Sequence, residues 1–104
     1  MISILKKLFS KAPAVDYAEL LANGGTIVDV RTRGEYAGGH VKGSINIPLN
    51  ELQGSMGKFK KDKPIITVCA SGMRSGSARS QLSSAGFTQV YNGGSWMNLK
   101  KYEK

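Results

Sequence analysis

Ile65-Ile66-Thr67-Val68-Cys69-Ala70-Ser71-Gly72-Met73-Arg74-Ser75 changes character at its midpoint. The β-branched residues Ile65 to Val68, opened by Pro64, read as a short buried strand that runs directly into Cys69. Beyond the loop, Ala78, Leu82 and Ala85 recur at helical spacing up to Gly86, a natural helix stop. Cys69 therefore stands where a strand passes into a helix. In sheets of parallel strands joined by helical crossovers, ligands bind beyond the carboxyl ends of the strands, and Cys69 lies at such an end.

Working outward, the same alternation of short strands and short helices repeats. Tyr17, Leu20 and Leu21 share a helical face that Asn23-Gly24-Gly25 terminates, and the strand Thr26 to Val30 follows. Ile45 to Ile47 reads as another strand before Pro48. Glu51 to Phe59 reads as a helix interrupted by Gly54 and Gly57. Phe87 to Tyr91 supplies a further strand, Asn92-Gly93-Gly94 a turn, and Ser95 to Lys101 a closing helix around Trp96. The pattern is α/β punctuation, short strands alternating with short helices over residues 15–104. The chain's 104 residues leave room for one core.

The position of Cys69 bears on its chemistry. A free thiol titrates near 8.5 and is mostly protonated at neutral pH, whereas the unpaired N–H groups and positive dipole end of a following helix favour the thiolate. If the backbone N–H groups of Ala70, Ser71, Gly72, Met73, Arg74 and Ser75 turn inward, they form an anion cradle around the sulfur, with Gly72 allowing the tight curvature. Arg74 adds a permanent positive charge at the rim, suited to forking onto the oxygens of an anionic substrate. Cys69 by itself would be read as a small core residue. The loop makes it a candidate nucleophile.

Composition narrows the classes. One cysteine excludes an internal disulfide and any zinc site built on paired cysteines, and no metal or cofactor is expected. Fifteen Lys and Arg against seven Asp and Glu give a formal charge of +8, which favours anionic partners. The lysines are scattered in clusters without interleaved aromatics, so nucleic-acid binding is not expected. No apolar run approaches the roughly 20 residues that span a bilayer. Residues 1–14 form a basic amphipathic segment in which Lys6 and Lys7 interrupt the apolar residues, unlike an export signal. The segment is expected to pack on its own domain or fray, with weak contact to a membrane surface as the alternative. A poor export signal and a lone thiol point to the cytoplasm.

Asp29-Val30-Arg31, Glu35-Tyr36, Gly39-His40-Val41, Gly43-Ser44 and Asn46-Ile47-Pro48 are followed by Cys69-x-x-Gly72-x-Arg74-Ser75 and Gly93-Gly94-x-Trp96. In this order and spacing they resemble the rhodanese homology domain, from near Val15 to the end of the chain. The resemblance implies a small doubly wound α/β domain over residues 15–104, with a central parallel sheet flanked by helices, and it implies a thiosulfate sulfurtransferase. Cys69 would take sulfane sulfur from a small anionic donor such as thiosulfate, hold it as a persulfide, and give it to cyanide, a thiol or a protein acceptor. It also implies substrate binding by Ala70, Ser71, Gly72, Met73, Arg74 and Ser75. A persulfide carrier or docking module for a partner protein is the second reading. A phosphatase or arsenate reductase is the third, and the loop disfavours it: four residues separate Cys69 from Arg74, where those enzymes insert five.

The remaining motif residues carry plainer expectations. Arg31 and Glu35, four apart, suit an ion pair tying the first strand to its following helix. His40 is left out of the site, because a pre-formed thiolate needs no base. Asp29 is a candidate brace for the active loop, and Trp96 is expected to fill the core with its indole N–H partnered.

Overall fold

A computed structural model describes residues 15–103, so the expectations for residues 1–14 lie outside the described residues. Four parallel strands form one sheet in the order β2-β1-β3-β4. They are β1 (Thr26–Asp29), β2 (Ile45–Asn46), β3 (Ile65–Cys69) and β4 (Val90–Ser95). Helices α1 (Tyr17–Ala22), α2 (Arg33–Ala37), α3 (Leu52–Ser55) and α4 (Met73–Ser84) connect and cover them. The doubly wound arrangement expected from the sequence is the one observed.

Strand alternation divides the core in two. Val28, Ile65 and Cys69 face α4, where they meet Ala78, Leu82 and Phe87. Ile27, Ile66 and Val68 face the other way onto Leu99, with Tyr17, Leu20 and Leu21 of α1 packed against them. Successive strand residues point to opposite faces, so a sheet covered on both sides must be apolar at nearly every position. The five residues of β3 are all buried. Each crossover returns the chain to the same edge of the sheet, so the carboxyl ends of β1, β2, β3 and β4 converge on one rim.

Several boundaries differ from the expectations for physical reasons. Asn92-Gly93-Gly94 is not a turn: β4 runs through it, and a bulge opposite Thr67 and Val68 absorbs the extra residue. Gly93 makes this passage possible, because a Cβ there would lie 3.0 Å from both Ile66 Cγ2 and Val68 Cγ1. Phe87 is instead a buried loop residue that docks against the core. The closing segment is a 3-10 helix, Trp96–Tyr102. The expected helix over 51–59 is split into 3-10 turns at Leu49–Glu51 and Met56–Lys58 around the single turn of α3.

The anticipated Arg31–Glu35 ion pair is replaced by another. Arg31 forks back onto Asp29, with Nε 2.9 Å from Oδ1 and Nη2 2.8 Å from Oδ2, and both residues are buried. Strand β1 ends at Asp29, and the backbone N–H of Arg31 also donates to its carboxylate, which folds the two side chains together. Asp29 thus braces the turn after β1 through Arg31, and no hydrogen bond joins its carboxylate to the loop after Cys69. Arg31 Nη2 also donates to the Gly39 carbonyl at 2.7 Å, and its guanidinium lies 4.6 Å from the centre of the Trp96 ring. Trp96 is half-buried against the second core cluster rather than enclosed in it. His40 stacks on Tyr36, with ring centres 3.7 Å apart, and its Nδ1 donates to the Tyr36 carbonyl.

Candidate active site

Cys69 is the last residue of β3 and is 1% exposed. Helix α4 begins four residues later at Met73, and its N-cap is Gly72, held at φ 107°. A side chain at that φ would be strained, and the sharp reversal is what brings the start of the helix back over the sulfur. No side chain caps α4. The Cys69 sulfur takes that place: the Gly72 N–H donates to Sγ at 3.0 Å, and the Ser75 hydroxyl lies 3.4 Å from it.

These contacts set the acidity of the thiol. Burial pushes Cys69 up, but the Ser75 hydroxyl and the backbone N–H groups of Ser75, Gly72 and Ser71 pull it down, and the balance falls below the ordinary thiol value. Donors aimed at a buried sulfur favour the anion over the neutral thiol, and the dipole of a twelve-residue helix adds to them. Gly72, Ser75 and the Ser71 N–H contribute to the cradle directly. Ala70, Ser71 and Met73 form its exposed wall, with Met73 at 83% exposure.

Asn92 is a member of this site that the sequence reading did not single out. Its Oδ1 accepts from the Ser75 hydroxyl at 2.6 Å and from the Gly94 N–H at 2.9 Å, while its Nδ2 donates to the Gly72 carbonyl at 3.1 Å. One amide therefore ties β4 to the Gly72 carbonyl and to the Ser75 hydroxyl, whose single proton must turn from Asn92 to be donated to the sulfur. Nothing local in the sequence marks this role, because Asn92-Gly93-Gly94 carries the same signature as a surface turn.

Arg74 does not stand free. Its Nη1 and Nη2 bind Glu35 Oε1 and Oε2 at 2.7 and 3.0 Å. Glu35 is held in turn by the capping box of α2, where its Oε1 accepts from the Thr32 N–H at 3.0 Å and the Thr32 hydroxyl at 3.1 Å. The Arg74 guanidinium and then the Thr32 N–H hold the Glu35 carboxyl down at about 2. Beside the pair is a recess of about 360 Å³ lined by Val30, Thr32, Pro48, Leu49, Asn50, Arg74 and Gln81. Among the described residues, no group of three or more His, Cys, Asp or Glu side chains is placed to hold a metal ion.

The arrangement is suited to forming a thiolate in a water-poor cradle and spreading its charge over backbone donors. Residues 13–100 match the family described as Rhodanese-like domain. The chain is 39% identical over 66 residues to the uncharacterised protein YqhL of Bacillus subtilis, covering 64% of this chain and 52% of that protein, so it spans about half the length of that relative. It is 35% identical over 74 residues to the thiosulfate sulfurtransferase GlpE of Ectopseudomonas mendocina, covering 71% of this chain and 68% of that protein. The human single-domain sulfurtransferase TSTD1 superposes with a TM-score of 0.74 at 28% identity, over 90% of this chain and all of that one.

Proposed function

Because the chain belongs to the rhodanese-like domain family, we propose that it is a sulfurtransferase that carries sulfane sulfur as a persulfide on Cys69. The observation that carries this reading is the Gly72 N–H placed 3.0 Å from Sγ at the start of α4, which favours a thiolate that needs no separate base. The Cys69 thiolate attacks the outer sulfur of a donor such as thiosulfate. A sulfur–sulfur bond forms to Cys69, the bond to the sulfonate sulfur breaks, and sulfite leaves with the electron pair. Cyanide or a thiolate then attacks the outer sulfur of the persulfide and releases Cys69.

Charge moves over two sulfurs during both steps, and the backbone N–H groups of Ala70, Ser71, Gly72, Met73, Arg74 and Ser75 are suited to stabilising it without reorganisation. Arg74 keeps three of its five N–H groups for the donor while Glu35 holds the other two. Incubation with thiosulfate followed by intact-mass measurement is expected to show one added sulfur atom on the native protein and none on Cys69→Ala. Cyanide should then strip that sulfur as thiocyanate. A native protein that gains no sulfur from any donor sinks the proposal.

A further inference from the structure

The protein carries a formal +8, yet among the described residues the arginines Arg33 and Arg74 beside the site are each neutralised by a carboxylate. Lys61 and Lys63 lie at the opposite edge of the sheet. Their turn precedes β3, with the Lys61 carbonyl accepting from Thr88 ahead of β4 and the Lys63 side chain against Gly24 ahead of β1. At the carboxyl rim Arg33 of α2 and Arg74 of α4 are each engaged by a carboxylate, Arg33 by Glu51 and Arg74 by Glu35. With Cys69 as thiolate, the groups Cys69, Arg74 and Glu35 therefore sum to one negative charge before any donor arrives. Thiosulfate would bring two more.

Glu35 cannot swing aside cheaply. Moving it from Arg74 would also release the Thr32 N–H and hydroxyl that cap α2. The recess that meets the site at Arg74 carries apolar surface at Val30, Pro48 and Leu49 beside Thr32, Asn50 and Gln81, surface that a compact inorganic anion does not use. Building on the proposed sulfurtransferase activity, we infer that Glu35 sets donor selectivity, turning the site from thiosulfate toward sulfane-sulfur donors that carry an apolar group and at most one negative charge. For such a donor, written R–SO₂–S⁻, the Cys69 thiolate takes the terminal sulfur. The bond between the two sulfurs of the donor breaks, and R–SO₂⁻ departs with the electron pair, conserving two negative charges where thiosulfate requires three.

Thiosulfate, methanethiosulfonate and benzenethiosulfonate separate the two causes, since the first pair differs in charge and the second in apolar bulk. Sulfur loading of Cys69 is followed for each donor, with rates normalised to those of a small free thiol. The native protein should favour benzenethiosulfonate over methanethiosulfonate, and methanethiosulfonate over thiosulfate. Glu35→Gln keeps the capping box, which accepts Gln as well as Glu, and removes the charge. It should raise the rate with thiosulfate relative to methanethiosulfonate about five- to tenfold, the size expected for one charge acting over about 4 Å in a water-like dielectric. A structural defect would lower all three rates together and leave that ratio alone. A native protein that uses thiosulfate as well as methanethiosulfonate, or an unchanged ratio in Glu35→Gln, overturns the inference while leaving the sulfurtransferase reading intact. Absence of loading by all three donors removes both.

Discussion

At the scale of single residues, the chemistry of Cys69 depends on donors that approach from its own loop. Ser75 contributes a hydroxyl and a backbone N–H, and both lower the thiol below its ordinary value. A lowered pKa enlarges the thiolate fraction at every pH beneath it, so the rate of alkylation by iodoacetamide should reach half its maximum at a lower pH than for a free thiol. Ser75→Ala should move that midpoint up. A native midpoint equal to that of a free thiol would show that burial outweighs the donors. The buried pair of Asp29 and Arg31, at 0% and 4% exposure, makes a different demand. Arg31→Ala leaves a carboxylate without its partner in the interior, and urea unfolding should report a loss of about 3–5 kcal/mol. Replacing both residues by apolar ones should cost less than Arg31→Ala alone, because the cost arises mainly from the stranded charge.

At the scale of elements, the junction of β3 and α4 was legible in the sequence because its signals are local. A β-branched run, a glycine able to take positive φ, and helical spacing after it leave few alternatives. The element after it was misread for an equally physical reason. Asn92-Gly93-Gly94 has the composition of a turn, but Gly93 serves close approach to β3 and Leu99, and Gly94 takes a φ of 77°. Gly93→Ala should therefore destabilise the domain by about 1–3 kcal/mol, the range for forcing extra atoms into a packed interior. It should also disturb Asn92, so cyanide turnover should fall further than stability alone accounts for. A variant with native stability and native turnover would contradict the packing account of the bulge. The short pieces around α3 were illegible in detail, since Gly54 and Gly57 weaken helix propensity without saying where each turn ends.

At the scale of the molecule, the distribution of charge matters more than its sum. The five residues of β3 separate the lysine-bearing edge from the Cys69 rim by roughly 15 Å. That exceeds the Debye length of about 10 Å at 0.1 M salt. Loading of Cys69 by thiosulfate, measured at low donor concentration, should stay within about twofold between 0.1 and 0.5 M salt. A steep fall would mean that the basic surface steers the donor after all, as the net charge by itself suggests. The sequence alone determined the fold class, the placement of Cys69 at a strand end, and a loop capable of turning its N–H groups onto the sulfur. These follow from periodicity and from backbone preferences that operate over a few residues. Only the tertiary structure decided how the charges pair. Glu35 reaches across 39 positions to Arg74, while Arg31 turns back on Asp29. Spacing along the chain favoured joining Arg31 to Glu35, but the sheet brings the ends of β1 and β3 side by side, so Glu35 pairs with Arg74 between elements while Arg31 closes on Asp29 two residues back. Around Cys69 the same juxtaposition brings Asn92 of β4 to the Ser75 hydroxyl, and Lys61 and Lys63 fall at the edge the site does not use.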